Sequence, residues 1–250
     1  MHEWGNPHAA TVLCLHGIGG HGGRFRRLAE EHLRGRHVLA PDLRGHGRST
    51  WEPPWTLERH LQDLHELLRD RGVEHPDVVG HSFGGRLALE LTAAGVVERS
   101  VLLDPVVWVP PPLALERAER ALTEMAFASF DDAVANRAAV AAHAPRDVLE
   151  EEVRMHLDEG ADGLLRFRWS RAAVVSGLGD LARTPPEWER LRVPTLLVYG
   201  EESDVCPDVV VDVLEAELGE LIEVARVPGA HNVLWDAYDE TAAAISRFLA

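Results

Sequence analysis

A serine flanked by glycines is the residue of this sequence best placed to do chemistry. The motif Gly-His-Ser-Phe-Gly at residues 80–84 follows the apolar run 76–79 and precedes a helical pattern. A Gly-x-Ser-x-Gly motif between a strand and a helix forms a tight turn that exposes the serine hydroxyl. The helix N-terminus behind that turn favours negative charge that develops during a reaction. The sequence therefore predicts Ser82 as a nucleophile, the alternative being a serine that only caps the helix.

His231 is the predicted general base for this serine. A serine hydroxyl is a weak nucleophile at neutral pH and needs a neighbouring base. His231 follows Val-Pro-Gly-Ala at 227–230, in a loop between the last predicted strand and the last predicted helix. The chain has 14 histidines, so the position of His231, rather than its residue type, selects it.

An acid is expected to hold the imidazole in its working tautomer. Asp204, in the loop after the predicted strand at 195–199, is the predicted acid. Glu201 or Glu202 in the same loop could take its place. Asp104, at the end of the apolar run 100–103, is a second possible position, although it could equally be a turn residue.

Two backbone amides are expected to bind the oxyanion that forms when a serine attacks a carbonyl group. One is the amide of Phe83, directly after the nucleophile. The other is the amide of Ile18, in the glycine-rich loop 16–20. The glycines at 17–23 do not have the spacing of a dinucleotide-binding loop, which disfavours that alternative.

The elements that must position these residues alternate along the chain. Short apolar runs with the character of strands buried on both faces are separated by helical patterns, which indicates an α/β fold with a mostly parallel, doubly wound sheet. The predicted strands cover residues 11–15, 37–40, 76–79, 100–103, 195–199 and 222–227, and the clearest helices cover 56–71, 82–94 and 240–249.

The alternation stops in the middle of the chain. Residues 105–193 contain no convincing strand and read as helices, predicted at 113–129, 131–143, 146–159 and 163–175, with Asp131 as an N-cap. We therefore predict a core formed by residues 1–104 and 194–250 and a helical lid formed by residues 105–193.

The lid supplies large apolar side chains that could line a substrate pocket above Ser82, although most are expected to form the core of the lid itself. The candidates are Trp108, Met125, Phe130 and Trp169. Such a pocket suits a small, apolar, uncharged substrate. Arg166, Arg168 and Arg171 could instead bind a substrate carboxylate, but a solvated helix face is the favoured interpretation.

Composition excludes several classes of function. The 250 residues carry a formal net charge of −16, which disfavours binding to nucleic acid or to anionic membranes. The sequence has no lysine, and its two cysteines lack metal-ligand spacing. No metal or organic cofactor is implied.

The first residues lack the pattern of a signal peptide and no apolar run is long enough for a membrane helix, so we expect a cytoplasmic protein. The oligomeric state is not indicated.

Four motifs in this order resemble the α/β-hydrolase superfamily, in its lid-bearing group. They are His-Gly-Ile-Gly-Gly at 16–20, Asp-Leu-Arg-Gly-His-Gly-Arg-Ser at 42–49, the serine motif with the following glycine at 80–85, and Gly-Ala-His-Asn at 229–232. The resemblance implies a Ser-Asp-His triad that cleaves esters, lactones, thioesters or certain C–C bonds. Members with an aspartate nucleophile are disfavoured by Ser82. Relatives usually have one or two strands before the strand at 11–15, so the first strand of the fold is expected to be missing here.

These observations predict a serine hydrolase that cleaves a carboxylic ester or lactone through an acyl-enzyme. A C–C bond or enol-lactone hydrolase of aromatic catabolism is one alternative. A ligand-binding protein of the same fold with little turnover is another.

Overall fold

The six predicted strands and one further strand at His2–Gly5, which the sequence pattern does not predict, form one seven-stranded sheet. The structure is a computed structural model that describes residues 1–141 and 143–250. The strand order is β1-β3-β2-β4-β5-β8-β9, and every neighbouring pair except β1–β3 is parallel. The strands described are β1 (His2–Gly5), β2 (Thr11–Leu15), β3 (His37–Ala40), β4 (Asp77–His81), β5 (Ser100–Leu103), β6 (Leu157–Glu159), β7 (Leu165–Phe167), β8 (Thr195–Gly200) and β9 (Ile222–Val227).

Helices cover both faces of this sheet. Alternate residues of each strand point to opposite faces, so that Val12 and Cys14 of β2 contribute to one apolar cluster while Leu13 and Leu15 contribute to the other. The α-helices described are α1 (Arg26–Glu31), α2 (Leu57–Asp70), α3 (Phe83–Ala93), α4 (Pro111–Ala121), α5 (Phe130–Ala138), α6 (Arg146–His156), α7 (Arg171–Asp180), α8 (Asp208–Leu218), α9 (Val233–Asp236) and α10 (Tyr238–Phe248). The predicted α/β fold with a mostly parallel sheet is confirmed.

The start of the chain differs from the expectation of a missing strand. Residues His2–Gly5 form the antiparallel edge strand β1, which pairs with His37–Ala40 of β3. Glu3 of β1 accepts hydrogen bonds from His37 and from Arg71. β1 is as short as the buried strands β3 and β5, but its alternating exposure and polar residues do not resemble their buried runs.

The segment between β5 and β8 contains helices α4 to α7 and also a hairpin that the sequence analysis missed. Strands β6 and β7 pair antiparallel around a turn at residues 160–163, where Gly163 has a φ of +75°. The helix predicted to 159 therefore ends at His156, and the helix predicted from 163 begins only at Arg171. Ser129, rather than Asp131, caps α5, because its hydroxyl accepts the Asp132 amide. That 105–193 form a separate lid stays a prediction.

Four adjacent parallel strands, β4, β5, β8 and β9, end at the same edge of the sheet. Ligand sites in open α/β sheets lie at the carboxyl ends of the strands. Side chains just beyond these four ends are therefore within reach of one another. None of the helices in the described parts of the chain is both long enough and apolar enough to cross a bilayer.

Candidate active site

Ser82 lies in the sharp turn between β4 and α3. Its backbone has a φ of +58° and a ψ of −117°, a conformation that non-glycine residues rarely adopt. The flanking glycines make the turn possible, since a Cβ atom at Gly80 would lie 2.2 Å from the Gly84 carbonyl oxygen, and one at Gly84 would lie 2.1 Å from that of Leu15. The strained turn presents the Ser82 hydroxyl at the carboxyl edge of the sheet.

His231 connects this hydroxyl to a buried carboxylate. Its Nε2 atom lies 2.9 Å from Ser82 Oγ, and its Nδ1 atom lies 2.5 Å from Asp104 Oδ2. The His231 carbonyl accepts a hydrogen bond of 2.9 Å from the buried imidazole of His81. With Nδ1–H donated to the carboxylate, Nε2 is free to accept the serine proton, which is the arrangement a general base requires.

The acid in contact with His231 is Asp104, not Asp204. Asp104 follows β5 and is fully buried, and it also accepts hydrogen bonds from the Ser203 hydroxyl (2.6 Å) and the Gly200 amide (3.3 Å). Asp204 is exposed in the loop after β8. The prediction of Asp204 is therefore wrong on this geometry. The last residue of β8 and the loop that follows it instead supply the two donors that hold Asp104 in place.

The amides proposed as an oxyanion hole flank Ser82. Neither the Ile18 amide nor the Phe83 amide donates a hydrogen bond to a backbone or side-chain group of the described residues, so both are available to bind an oxyanion. The loop of Ile18 is held by His46, whose Nε2 accepts the Gly19 amide at 3.1 Å while its Nδ1–H donates to the Arg44 carbonyl. Burial lowers the pKa of His46 to about 4, so its Nε2 remains an acceptor at neutral pH.

A cavity of about 170 Å³ lies over the serine. Its wall combines the glycine-rich loop 16–20 (called the oxyanion loop below), the candidate catalytic residues Ser82 and His231, and residues of α5 and α6 from the segment between β5 and β8 (called the inserted segment below). The lining residues are Gly17, Ile18, Gly19, Gly20, Arg24, His81, Ser82, Arg137, Val140, Glu152, His231, Asn232 and Trp235. A substrate in this cavity would have direct access to Ser82.

Comparison with known proteins identifies the family. The family model described as "Alpha/beta hydrolase family" matches residues 12–244 of the chain. The chain belongs to the alpha/beta hydrolase family.

Individual relatives agree with this family. This hydrolase is 37% identical over 186 residues to "Lipase LipV" of Mycobacterium tuberculosis, a match that covers 73% of this chain and 71% of the lipase. It is 29% identical over 229 residues to "3-hydroxybutyrate-oligomer hydrolase" of Cupriavidus necator, covering 82% and 76% of the two chains. The solved structure of E-2-(acetamidomethylene)succinate hydrolase shares the fold, with a TM-score of 0.87, 24% identity and coverage of 99% and 93%.

The four side chains expected to line the substrate pocket of this hydrolase lie elsewhere. Trp108 is 47% exposed and donates its indole N–H to the Ala182 carbonyl. Met125 and Phe130 pack at the edge of the apolar cluster that includes Phe127 and Phe167. Trp169 contacts the back of the oxyanion loop at Gly19. None of these four is among the described residues that line the cavity.

The sequence analysis did not single out Arg24, Arg137 and Glu152 of this cavity wall. A usable signal was present for two of them. Glu152 shares a helical stripe with Leu149, Val153 and His156, the buried residues of α6. Arg137 of α5 lies one turn beyond the buried pair at 133–134. A charged residue on an otherwise buried helical stripe is rarely left without a partner, so each position marks a polar site.

The α/β-hydrolase should lose stability below neutral pH because it buries neutral histidines. Burial lowers the pKa of His46 and of His60 to about 4, and lowers those of His16, His81 and His156 well below the ordinary value. The unfolded chain takes up protons near pH 6.5 and the folded chain does not, so the contribution present above pH 6.5 is lost as the pH falls towards 4. His46 and His60 should each cost about 2 kcal/mol of unfolding free energy at pH 5.

Urea unfolding at pH 7.5 and pH 5.0 measures this loss. His60 packs against Phe83 and its Nδ1 atom has no partner in the described chain, so His60→Leu should reduce the difference between the two pH values by about 2 kcal/mol. The exposed His65→Gln is the matched control and should leave the difference unchanged. Equal unfolding free energies at both pH values would contradict the prediction.

Proposed function

We propose that this α/β-hydrolase cleaves a carboxylic ester or a lactone through an acyl-enzyme formed on Ser82. The observation that carries the proposal is the hydrogen-bonded series Ser82 Oγ, His231 and Asp104, with donor–acceptor distances of 2.9 and 2.5 Å. Its similarity to a named lipase and a named oligomer hydrolase supports the same class of reaction. The predicted cytoplasmic location stays a prediction.

Acylation begins when Ser82 Oγ attacks the substrate carbonyl carbon. His231 Nε2 takes the hydroxyl proton, and Asp104 stabilises the imidazolium that results. The carbonyl oxygen becomes an oxyanion, which accepts hydrogen bonds from the amides of Ile18 and Phe83. His231 then returns the proton to the leaving alcohol as the C–O bond breaks.

Deacylation repeats these steps with water as the nucleophile. His231 takes a proton from the water, which attacks the acyl carbon and forms a second oxyanion in the same position. When that intermediate collapses, His231 protonates Ser82 Oγ and the carboxylic acid product leaves. A lactone follows the same path, except that its alcohol and acid remain in one molecule.

A chain-length series of p-nitrophenyl esters, from two to twelve acyl carbons, tests this function. The cavity volume of about 170 Å³ equals that of roughly six water molecules at ~30 Å³ each. We therefore expect kcat/KM to be highest for short acyl groups of about four to six carbons and to fall for longer ones.

Simple γ- and δ-lactones complete the substrate panel, with release of acid followed by a pH indicator. Hydrolysis of either class by the wild type, and its loss in Ser82→Ala, is the expected result. The absence of serine-dependent turnover on both classes would overturn the proposal, and an optimum at ten to twelve carbons would contradict the volume argument.

A further inference from the structure

Two arginines from different parts of the chain lie in the wall of the cavity that contains Ser82 and His231. Arg24 belongs to the 3-10 turn Gly22–Phe25, directly after the oxyanion loop, and Arg137 belongs to α5 of the inserted segment. The core and the inserted segment thus each bring one guanidinium group to the same cavity.

Among the described residues, the Arg24 side chain has one hydrogen-bond partner, His81, whose Nδ1 atom lies 3.3 Å from Arg24 Nη1, and several other nitrogens of the two guanidinium groups have none. The buried Nε atom of Arg24 and the buried Nε and Nη2 atoms of Arg137 have no partner in the described chain. Arg24 stacks on Trp235 and Arg137 on Phe167, with 4.4 and 4.3 Å from guanidinium carbon to ring centroid. Stacking holds a guanidinium in a fixed orientation without neutralising its charge. Such groups are costly to bury unless an anion pairs with them.

The acid that faces these arginines within the described chain is Glu152. Its Oε2 atom is 3.0 Å from His21 Nε2, and its buried Oε1 atom has no partner. Although burial alone would raise the pKa of Glu152, the neighbouring His21, Arg24 and Arg137 hold it well below the ordinary value, so the carboxylate is ionised. Two guanidinium groups therefore face one carboxylate, and the cavity wall carries an excess of positive charge.

The excess of positive charge in the cavity wall disfavours the binding of a cation. The donor atoms of His21, Glu152 and His156 lie within 4.8 Å of one another, a grouping that could hold a metal ion. However, Arg24 and Arg137 act on the same carboxylate and would repel a divalent ion. An anionic group in the cavity balances this excess of positive charge instead.

We propose that the acyl part of the substrate carries a carboxylate, which binds to Arg24 and Arg137 while Ser82 attacks the ester or lactone carbonyl. This inference rests on the proposed function and replaces the uncharged substrate expected from the sequence. The planar fork of an arginine donates two parallel hydrogen bonds to a carboxylate, which gives affinity and orientation together. The substrate class is a short ester or lactone with a second, free carboxylate, such as a monoester of a dicarboxylic acid.

Two p-nitrophenyl esters of equal acyl length test the inference, the anionic monoester of glutaric acid and the neutral pentanoate. In the wild type, kcat/KM should be about ten-fold or more higher for the glutarate ester. Arg137→Gln should lower the ratio of the two kcat/KM values by about 10- to 100-fold, the range expected for lost charge-assisted hydrogen bonds. The ratio of the two esters, rather than turnover of the pentanoate alone, is the readout, because Arg137 lines the cavity that both esters enter.

A second variant and a matched control distinguish a specific loss of anion binding from general damage to the fold. Arg24→Gln should lower the same ratio, which protects the test if Arg137→Gln folds poorly. Arg166→Gln is the control, because Arg166 pairs with Asp162 and Glu124 at the surface and is outside the cavity lining. Its ratio should equal that of the wild type. A wild type without preference for the anionic ester, or a ratio unchanged in both cavity variants, would overturn the inference.

Direct binding separates this inference from the proposed function. Calorimetric titration of the Ser82→Ala protein with glutarate should give saturable binding, which Arg137→Gln abolishes, whereas the neutral glutaramide should not bind. Glutarate binding that depends on Arg137, without turnover of any ester or lactone, would retain the anion site and overturn the proposed function. Serine-dependent ester hydrolysis without glutarate binding would retain the function and overturn the anion site.

Discussion

Ser82→Ala should lower kcat by at least about 10⁴-fold on any ester that the wild type hydrolyses. The substitution removes the atom that forms the acyl-enzyme, so the remaining rate depends on the oxyanion donors and on substrate binding alone. The measurement is the initial rate at saturating substrate for both proteins. Covalent labelling by a fluorophosphonate provides an independent readout, because Ser82 Oγ displaces fluoride from phosphorus while His231 takes the proton.

The fold should tolerate this substitution. Ser82 loses one hydrogen bond, to His231, and the alanine meets the same positive φ of 58° that the serine already accepts. The matched control is Ser246→Ala, which removes the same hydroxyl group from α10, where its contact is with His32. That control should retain wild-type activity and labelling. A Ser82→Ala protein that still turns over at a tenth of the wild-type rate, or still takes up the label, would remove Ser82 from the mechanism.

Local signals in the sequence account for the features it predicted well. Six of the seven strands of the sheet could be located because they are short runs rich in apolar, β-branched residues, whereas the polar edge strand β1 could not. The turn at Ser82 could be located from its two flanking glycines, where a Cβ atom would lie less than 2.5 Å from a backbone oxygen. His231 was selected by its place after the last strand. The structure brings Ser82 and His231 together because β4 and β9 end at the same edge of the sheet.

Features that depend on packing between distant segments could not be predicted in this way. The place of Arg137 in the cavity wall depends on how α5 packs on α6, which no local pattern specifies. The hairpin β6–β7 has strands of only three residues, too short for an alternating pattern to be recognised. The clearest sequence signal for this polar site is in α6, where the charged Glu152 interrupts a stripe of otherwise buried residues.

The choice between Asp104 and Asp204 also depends on packing that a local sequence pattern does not specify. β5 and β8 are adjacent parallel strands, so the loops after both strands are near His231. Each loop contains an aspartate, and residue type cannot separate them. The separation comes from backbone geometry, since Asp104 is buried at a φ of +42° while Ser203 and Gly200 donate hydrogen bonds to its carboxylate.

Asp104→Asn should lower kcat about 10⁴-fold, and Asp204→Asn should leave kcat within about two-fold of the wild type. The asparagine amide can donate to His231 Nδ1, which places the imidazole proton on Nε2 and removes the acceptor that Ser82 needs; neutral asparagine also fails to stabilise the imidazolium. Asp204 is exposed and makes no contact with His231 in the described structure. The two variants remove the same charge from neighbouring loops, so each controls for the other.

The pH dependence of the residual activity distinguishes loss of the acid from loss of structure. If Asp104 stabilises the imidazolium, activity of Asp104→Asn should recover as rising pH supplies hydroxide as an alternative base. A variant that is merely misfolded should show a lower melting temperature and no such recovery. The reverse ranking, with Asp204→Asn impaired about 10⁴-fold and Asp104→Asn active, would restore Asp204 as the acid and would mean that the loop after β8 adopts another conformation in the working enzyme.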